Sequence, residues 1–325
     1  MTKQTDPLPF TPSFGLQNKH IQTVYSSIFR KFPEIHFQKE IFKLSDGDFL
    51  EPYYLLSEKK NAPFVILFHG LAGSYKSPYI QGMMQTLHTL GFNSVVMHFR
   101  GCATQENDLP RSYHSGDTQD AKEFIQHIKQ RFQPTKLYAI GYSLGANMLL
   151  KLLAEYQNNS PFTKAVAVSA PMKLDLCANQ MQKGFSKFYQ FLLLKDLKKS
   201  LQQKYKKFNM EALLPLQQKD IPKLKTFWEF DNSYTAPIHG FASAQEYYRK
   251  SSSFGYLKQI ATPTLLIHAQ DDPFMTPEVI PSKDNISAYI ELEILNYGGH
   301  VGFISGSLFK PEYWLEKRIV HYFLS

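Results

Sequence analysis

Ser143 stands in the middle of Gly141-Tyr142-Ser143-Leu144-Gly145, after the apolar run 137–140 and before the leucine-rich stretch 146–153. A strand therefore runs through a sharp turn into a helix. A side chain held at the apex of so tight a turn needs neighbours without Cβ atoms, and Gly141 and Gly145 supply that clearance. A serine hydroxyl exposed there is a nucleophile candidate, suited to attack on a carbonyl carbon. At neutral pH it attacks poorly until a base takes its proton, and the base is held in one tautomer by a carboxylate.

Both partners follow downstream. The run 264–268 reads as a buried strand and ends in Ala269-Gln270-Asp271-Asp272-Pro273. Two carboxylates thus sit just past a strand's carboxyl end, where open parallel sheets gather their functional groups. Asp271 and Asp272 compete for the acid's role, because neighbouring positions of an extended chain point to opposite sides. Asp272, directly before Pro273, is the preferred assignment and Asp271 the alternative; Asp-Asp-Pro is also an ordinary loop starter. The alternating stretch 290–295 then runs into Asn296-Tyr297-Gly298-Gly299-His300, a glycine-flanked loop able to swing an imidazole toward the other two.

A carbonyl oxygen under attack also needs hydrogen-bond donors, normally the amide after the nucleophile and one from the loop after an earlier strand. Leu144 supplies the first. The apolar run 64–68 reads as a central strand, and His69-Gly70-Leu71-Ala72-Gly73-Ser74 follows it with glycines that let amides face a ligand, so the second donor is assigned to the backbone of Leu71. The same residues would equally serve as a plain turn into a helix over 79–90. His69 is read as structural, placed to orient the loop.

These groups need a scaffold. Strands are expected near Phe42 and Tyr53 and over 64–68, 94–98, 137–140 and 165–169, with helices between, after an extended arm to about residue 35. Strands alternating with helices predict an α/β fold, a mostly parallel sheet covered on both faces. A chain of 325 residues with 43% hydrophobic content can bury the core of one large unit with an insertion.

The alternation stops after Pro171 and resumes near Thr264. Residues 1–170 are accordingly read as the arm and first part of the core, 171–255 as a helical cap insertion, and 256–325 as the rest of the core. Charge sets the insertion apart: residues 173–225 hold 12 lysines, no arginine and four acids, which accounts for the whole net charge of +8. Phe185, Phe188, Tyr189, Leu192, Leu194, Leu197, Leu201, Tyr205 and Phe208 recur at near-helical spacing, with Lys195, Lys198, Lys199, Lys204, Lys206 and Lys207 between them. This reads as a basic amphipathic helix whose apolar stripe either packs on the core, leaving the lysines solvated, or docks on an anionic lipid surface.

The chain resembles the YheT-like branch of the α/β-hydrolases, related to the mammalian ABHD lipid hydrolases. The matching stretches are Asn18-Lys19-His20-Ile21-Gln22-Thr23, His69-Gly70-Leu71-Ala72-Gly73, His98-Phe99-Arg100-Gly101-Cys102, Tyr113-His114-Ser115-Gly116-Asp117, 141–145, Asp271-Asp272-Pro273-Phe274 and Gly298-Gly299-His300-Val301-Gly302-Phe303, in one order over nearly the whole chain. The resemblance implies the α/β-hydrolase fold and an esterase or lipase-like enzyme with a Ser143, Asp272, His300 triad acting on a small-molecule ester or lipid. The alternative reading is a noncatalytic lipid-surface or partner-binding protein on the same fold.

The mammalian relatives carry an amino-terminal membrane segment, whereas residues 1–12 here are polar, with neither a signal-peptide core nor an apolar span. A cytoplasmic protein is expected, with peripheral contact to an anionic membrane through the basic cap. Two cysteines, Cys102 and Cys177, make no disulfide framework. No metal, cofactor or nucleic acid is expected: there is no clustered His-ligand spacing, no phosphate-loop motif, and no nucleic-acid motif beside the lysines. Arg100 and Gly101 are placed at the rim of the site. His114, Ser115 and Asp117 are expected to cap the next helix, and Phe274 and Phe303 to shape an acyl pocket.

Overall fold

The strand Phe64–Phe68 has no polar position because both its faces are covered. Its alternate residues Phe64, Ile66 and Phe68 belong to the core on one side of the sheet, and Val65 and Leu67 to the core on the other. Continuous apolar runs are what parallel strands need when helices cover both faces. The structure is a computed structural model that describes residues 8–307 and 309–325. Residues 1–7, most of the polar stretch 1–12, lie outside the described residues.

The main sheet has eight strands: β1 (Gln38–Lys39), β2 (Tyr53–Leu55), β3 (Phe64–Phe68), β4 (Asn93–Met97), β5 (Leu137–Tyr142), β6 (Lys164–Val168), β7 (Thr264–Ala269) and β8 (Ile290–Leu295). Their spatial order is β1-β2-β4-β3-β5-β6-β7-β8. The pairs β1/β2 and β2/β4 are antiparallel and every other pair is parallel. The strand expected near Phe42 is present, but it pairs with Phe49–Leu50 in a separate two-stranded ribbon.

The long helices are α1 (Lys19–Phe29), α2 (Pro78–Thr89), α3 (Gln119–Phe132), α4 (Leu144–Tyr156), α5 (Leu174–Gln180), α6 (Ser186–Lys207), α7 (Ala244–Ser251) and α8 (Trp314–Leu324). The cores assign α3 and α4 to one face of the sheet and α2 and α8 to the other. From 174 to 251 the chain between β6 and β7 is helical and turn-rich. It holds two small apolar clusters of its own, one around Leu194, Leu201 and Tyr234 and one around Leu174, Tyr247 and Tyr248. Among the described residues no helix is long and apolar enough to cross a membrane.

Three expectations need correcting here. The arm before residue 35 is not extended throughout: Asn18, whose side chain accepts from the amides of His20 and Ile21, caps α1. His114, Ser115 and Asp117 do not cap α3, whose N-cap position is Thr118; Asp117 instead pairs with Arg111 at 3.1 Å. The lysines of α6 are not all solvated either. Lys204 is fully buried and pairs with Glu106 at 2.7 Å, so part of the basic stripe is internal.

Candidate active site

Four loops meet at the carboxyl ends of β3, β5, β7 and β8. Ser143 follows β5 with φ of 51°, a left-handed conformation uncommon for a residue with a side chain. The backbone tolerates it because nothing projects from the flanking glycines. A Cβ on Gly141 would stand 2.6 Å from the Ala146 Cα, and one on Gly145 would stand 2.5 Å from the His69 carbonyl oxygen. The turn therefore presses directly against α4 and β3, and the Ser143 hydroxyl is held outward.

His300 Nε2 lies 2.9 Å from Ser143 Oγ, and His300 Nδ1 lies 2.8 Å from Asp272 Oδ2. The carboxylate can only accept, so Nδ1 carries the proton and Nε2 is the acceptor facing the hydroxyl. Asp272 is buried, and its second oxygen accepts from the Phe274 amide at 2.9 Å. Asp271 points elsewhere: its Oδ1 accepts from the Gly299 amide at 2.9 Å, bracing the loop that carries His300. Burial pushes the Asp271 carboxyl up, opposed by that hydrogen bond.

Gln22, Thr23 and Phe274 stand in the matching stretches of the sequence, but their roles in holding His300 emerge only from the fold. The Thr23 hydroxyl of α1 accepts from the His300 amide at 2.9 Å. Fully buried Gln22 donates to the carbonyls of Leu16 and Ile304 and accepts from the Ile304 amide. Phe274 lies flat against the imidazole, ring centroids 4.1 Å apart. The Asn18 cap followed by helical spacing was the available clue to α1.

The loop after β3 is fixed from several sides. Gly70 and Ala72 donate their amides to the hydroxyls of Tyr79 and Tyr113, at 3.0 and 2.9 Å, and the Gly73 amide donates to the Gly70 carbonyl. The amides of Leu71 and Leu144 have no protein acceptor among the described residues. His69 Nε2 accepts from the Phe99 amide at 3.1 Å, so Nδ1 carries the proton and donates to the Gly70 carbonyl at 2.7 Å. Burial, with help from His98, pushes the His69 pKa down to about 3. His69 is structural, as its position before the turn suggests.

Arg100 and Gly101 both line the cavity beside Ser143, but Arg100 does not offer it a free charge. Its guanidinium is buried and bonded to Asp46, Asp48 and Asp120 at 2.6 to 2.9 Å, which ties the loop after β4 to α3. Beside Ser143 opens a cavity of about 530 Å³. Ser143, His300 and the Leu71 loop form one part of its wall, and the segment between β6 and β7 forms another, through Leu174, Met181, Leu197, Phe230 and others. A hydroxyl, an imidazole and a carboxylate in one hydrogen-bonded line beside two unoccupied amides can pass a proton from the hydroxyl and hold a developing oxyanion.

Residues 63–307 match the family described as "alpha/beta hydrolase fold". The chain is 41% identical to the Escherichia coli (strain K12) protein "Putative esterase YheT" over 312 residues, 95% of this chain and 91% of that one. It is 30% identical to the "Monoacylglycerol lipase" of Saccharomyces cerevisiae over 74% of this chain and 55% of that one. Among solved structures, the Pyrococcus furiosus esterase Pf2001 superposes with a TM-score of 0.54 at 15% identity over 91% of each chain, a likeness of fold. The chain belongs to the α/β-hydrolase family, in the branch that contains YheT.

Proposed function

We propose that this protein is a serine esterase or lipase-like hydrolase of carboxylic esters, with Ser143 as nucleophile, His300 as base and Asp272 as the group that orients His300. The observation that carries the reading is the continuous line of hydrogen bonds from Asp272 through His300 to Ser143, ending at the wall of a largely apolar cavity. As Ser143 Oγ attacks the ester carbon, its proton passes to His300 Nε2, and the carbonyl oxygen takes hydrogen bonds from the amides of Leu71 and Leu144. The alcohol leaves with the proton from His300. Water then attacks the acyl carbon, giving its proton to His300, and Ser143 departs with that proton as the acid is released.

The cavity's size is within the range of small-molecule sites, and its apolar lining suits an acyl chain. The lipase and esterase names of the relatives support lipid or other small esters as the substrate class. The segment 171–255 acts as the cap that closes the acyl site.

The test is the initial rate on p-nitrophenyl esters of increasing acyl length, wild type beside Ser143→Ala. The expected result is wild-type turnover that falls by several orders of magnitude in the variant without loss of folding. A Ser143→Ala variant with full activity overturns the assignment. A wild type inactive on every ester overturns the enzymatic reading in favour of a binding protein on this fold.

A further inference from the structure

On α6, three faces do different things. Leu194 packs inward, Leu193, Asp196, Leu197, Ser200 and the buried Leu201 line the cavity, and a third face looks out. On that outer face and at the residue before the helix, Phe185, Phe188, Phe191 and Leu192 are 56, 50, 61 and 41% exposed. Aromatic side chains this exposed and this close together on one helix mark an interaction surface.

The patch adjoins the site's entrance. Ser27 of α1, Asp196 of α6 and Ala72 are the exposed members of the cavity wall, so the cavity reaches solvent between the two helices and the Leu71 loop. The helices touch there: the His20 ring lies 4.6 Å from Phe185, and its Nδ1 is 3.2 Å from the Tyr189 hydroxyl. From the patch, contacts lead inward. Ser186 Oγ donates to the Pro273 carbonyl, Tyr189 packs 5.0 Å from Phe274, and Phe274 stacks on His300.

Charge selects the partner. Exposed Lys183, Lys187, Lys195 and Lys199 make no ion pair among the described residues, and the one acid of α6, Asp196, faces the cavity. A second copy of this face would set lysines against lysines, whereas an anionic lipid surface accepts both the rings and the charges. We propose that the outer face of the first half of α6, beside α1, docks on an anionic lipid surface and so brings the mouth of the cavity to membrane-borne esters. The purpose of docking rests on the hydrolase reading; the docking itself does not.

The test is co-sedimentation of the full chain, carrying Ser143→Ala so that no lipid is consumed, with phosphatidylglycerol or with phosphatidylcholine vesicles. Binding to the first and not the second, weakened by salt, is expected. Phe188→Ser with Phe191→Ser, and separately Lys187→Glu with Lys195→Glu, should each weaken it about tenfold or more. The same substitutions in the Ser143 background, which tests the hydrolase reading separately, should leave turnover of a soluble short-chain ester unchanged and so report intact folding. Absence of vesicle binding, binding indifferent to these substitutions, or a dimer that they convert to monomer in light scattering overturns the proposal.

Discussion

The Tyr113 hydroxyl accepts the Ala72 amide at 2.9 Å, and Ala72 stands at φ 52°. That bond takes up the amide next to Leu71, a residue of the cavity wall, and holds a residue with a side chain in a left-handed conformation. Tyr113 is a positioning residue in this reading, stacked on Phe99 with ring centroids 4.9 Å apart. Tyr113→Phe keeps the stack and removes the hydroxyl, which besides accepting from Ala72 hydrogen-bonds the Cys102 thiol. The expected result is kcat lower by about tenfold with KM and melting temperature little changed, since loss of a direct oxyanion donor costs more than loss of its support. Steady-state kinetics on a soluble ester checks it, and an equal loss in a ligand-binding constant would contradict the positioning role.

Adjacent acids are set to separate tasks. Asp272 reaches the imidazole and Asp271 the Gly299 amide, so an amide side chain at each position has different consequences. Asp272→Asn presents His300 with the wrong tautomer and should lower kcat by about three to four orders of magnitude. Asp271→Asn keeps an oxygen for Gly299 and should stay within about tenfold of wild type. Both variants assayed side by side over a range of pH decide it; the larger loss at Asp271 would reverse the assignment.

The order Ser143, Asp272, His300 was legible because each residue follows a stretch with a strand pattern, apolar at 137–140 and 264–268 and alternating at 290–295. The sheet followed for the same reason: runs 64–68 and 290–295 coincide with the observed strands. Arg100 was not legible. A guanidinium after a strand looks alike at a rim and in a core, and its partners come from 46, 48 and 120, brought together only by folding. Gln22 and Thr23 stand in the matching stretch 18–23, but their roles were not legible, because they bond backbone some 280 residues away, a contact without local periodicity. On α6 the sequence spacing showed one apolar stripe, while packing divides those residues among a core, a cavity and the solvent.

His69 and His98 make one kind of arrangement twice, each just past a central strand. In both rings Nε2 accepts a backbone amide, from Phe99 and Tyr75 respectively, and Nδ1 donates to a carbonyl, of Gly70 and Glu51. Protonation would replace each acceptor with a second donor aimed at an amide. Burial accordingly pushes the two pKa values down, to about 3 for His69 and about 4 for His98. The unfolded chain takes up these protons near pH 6.5, well before the folded one does. The stability that the neutral rings contribute is therefore present above about pH 6.5 and is lost as pH falls from there, toward about 4 for His98 and about 3 for His69. Nitrogen-15 imidazole spectra at about pH 5 should show both rings still neutral and protonated at Nδ1. A ring among these two that titrates near 6.5 would break the account of the Leu71 loop, because the His69 bonds to Gly70 and Phe99 are what join that loop to the end of β4.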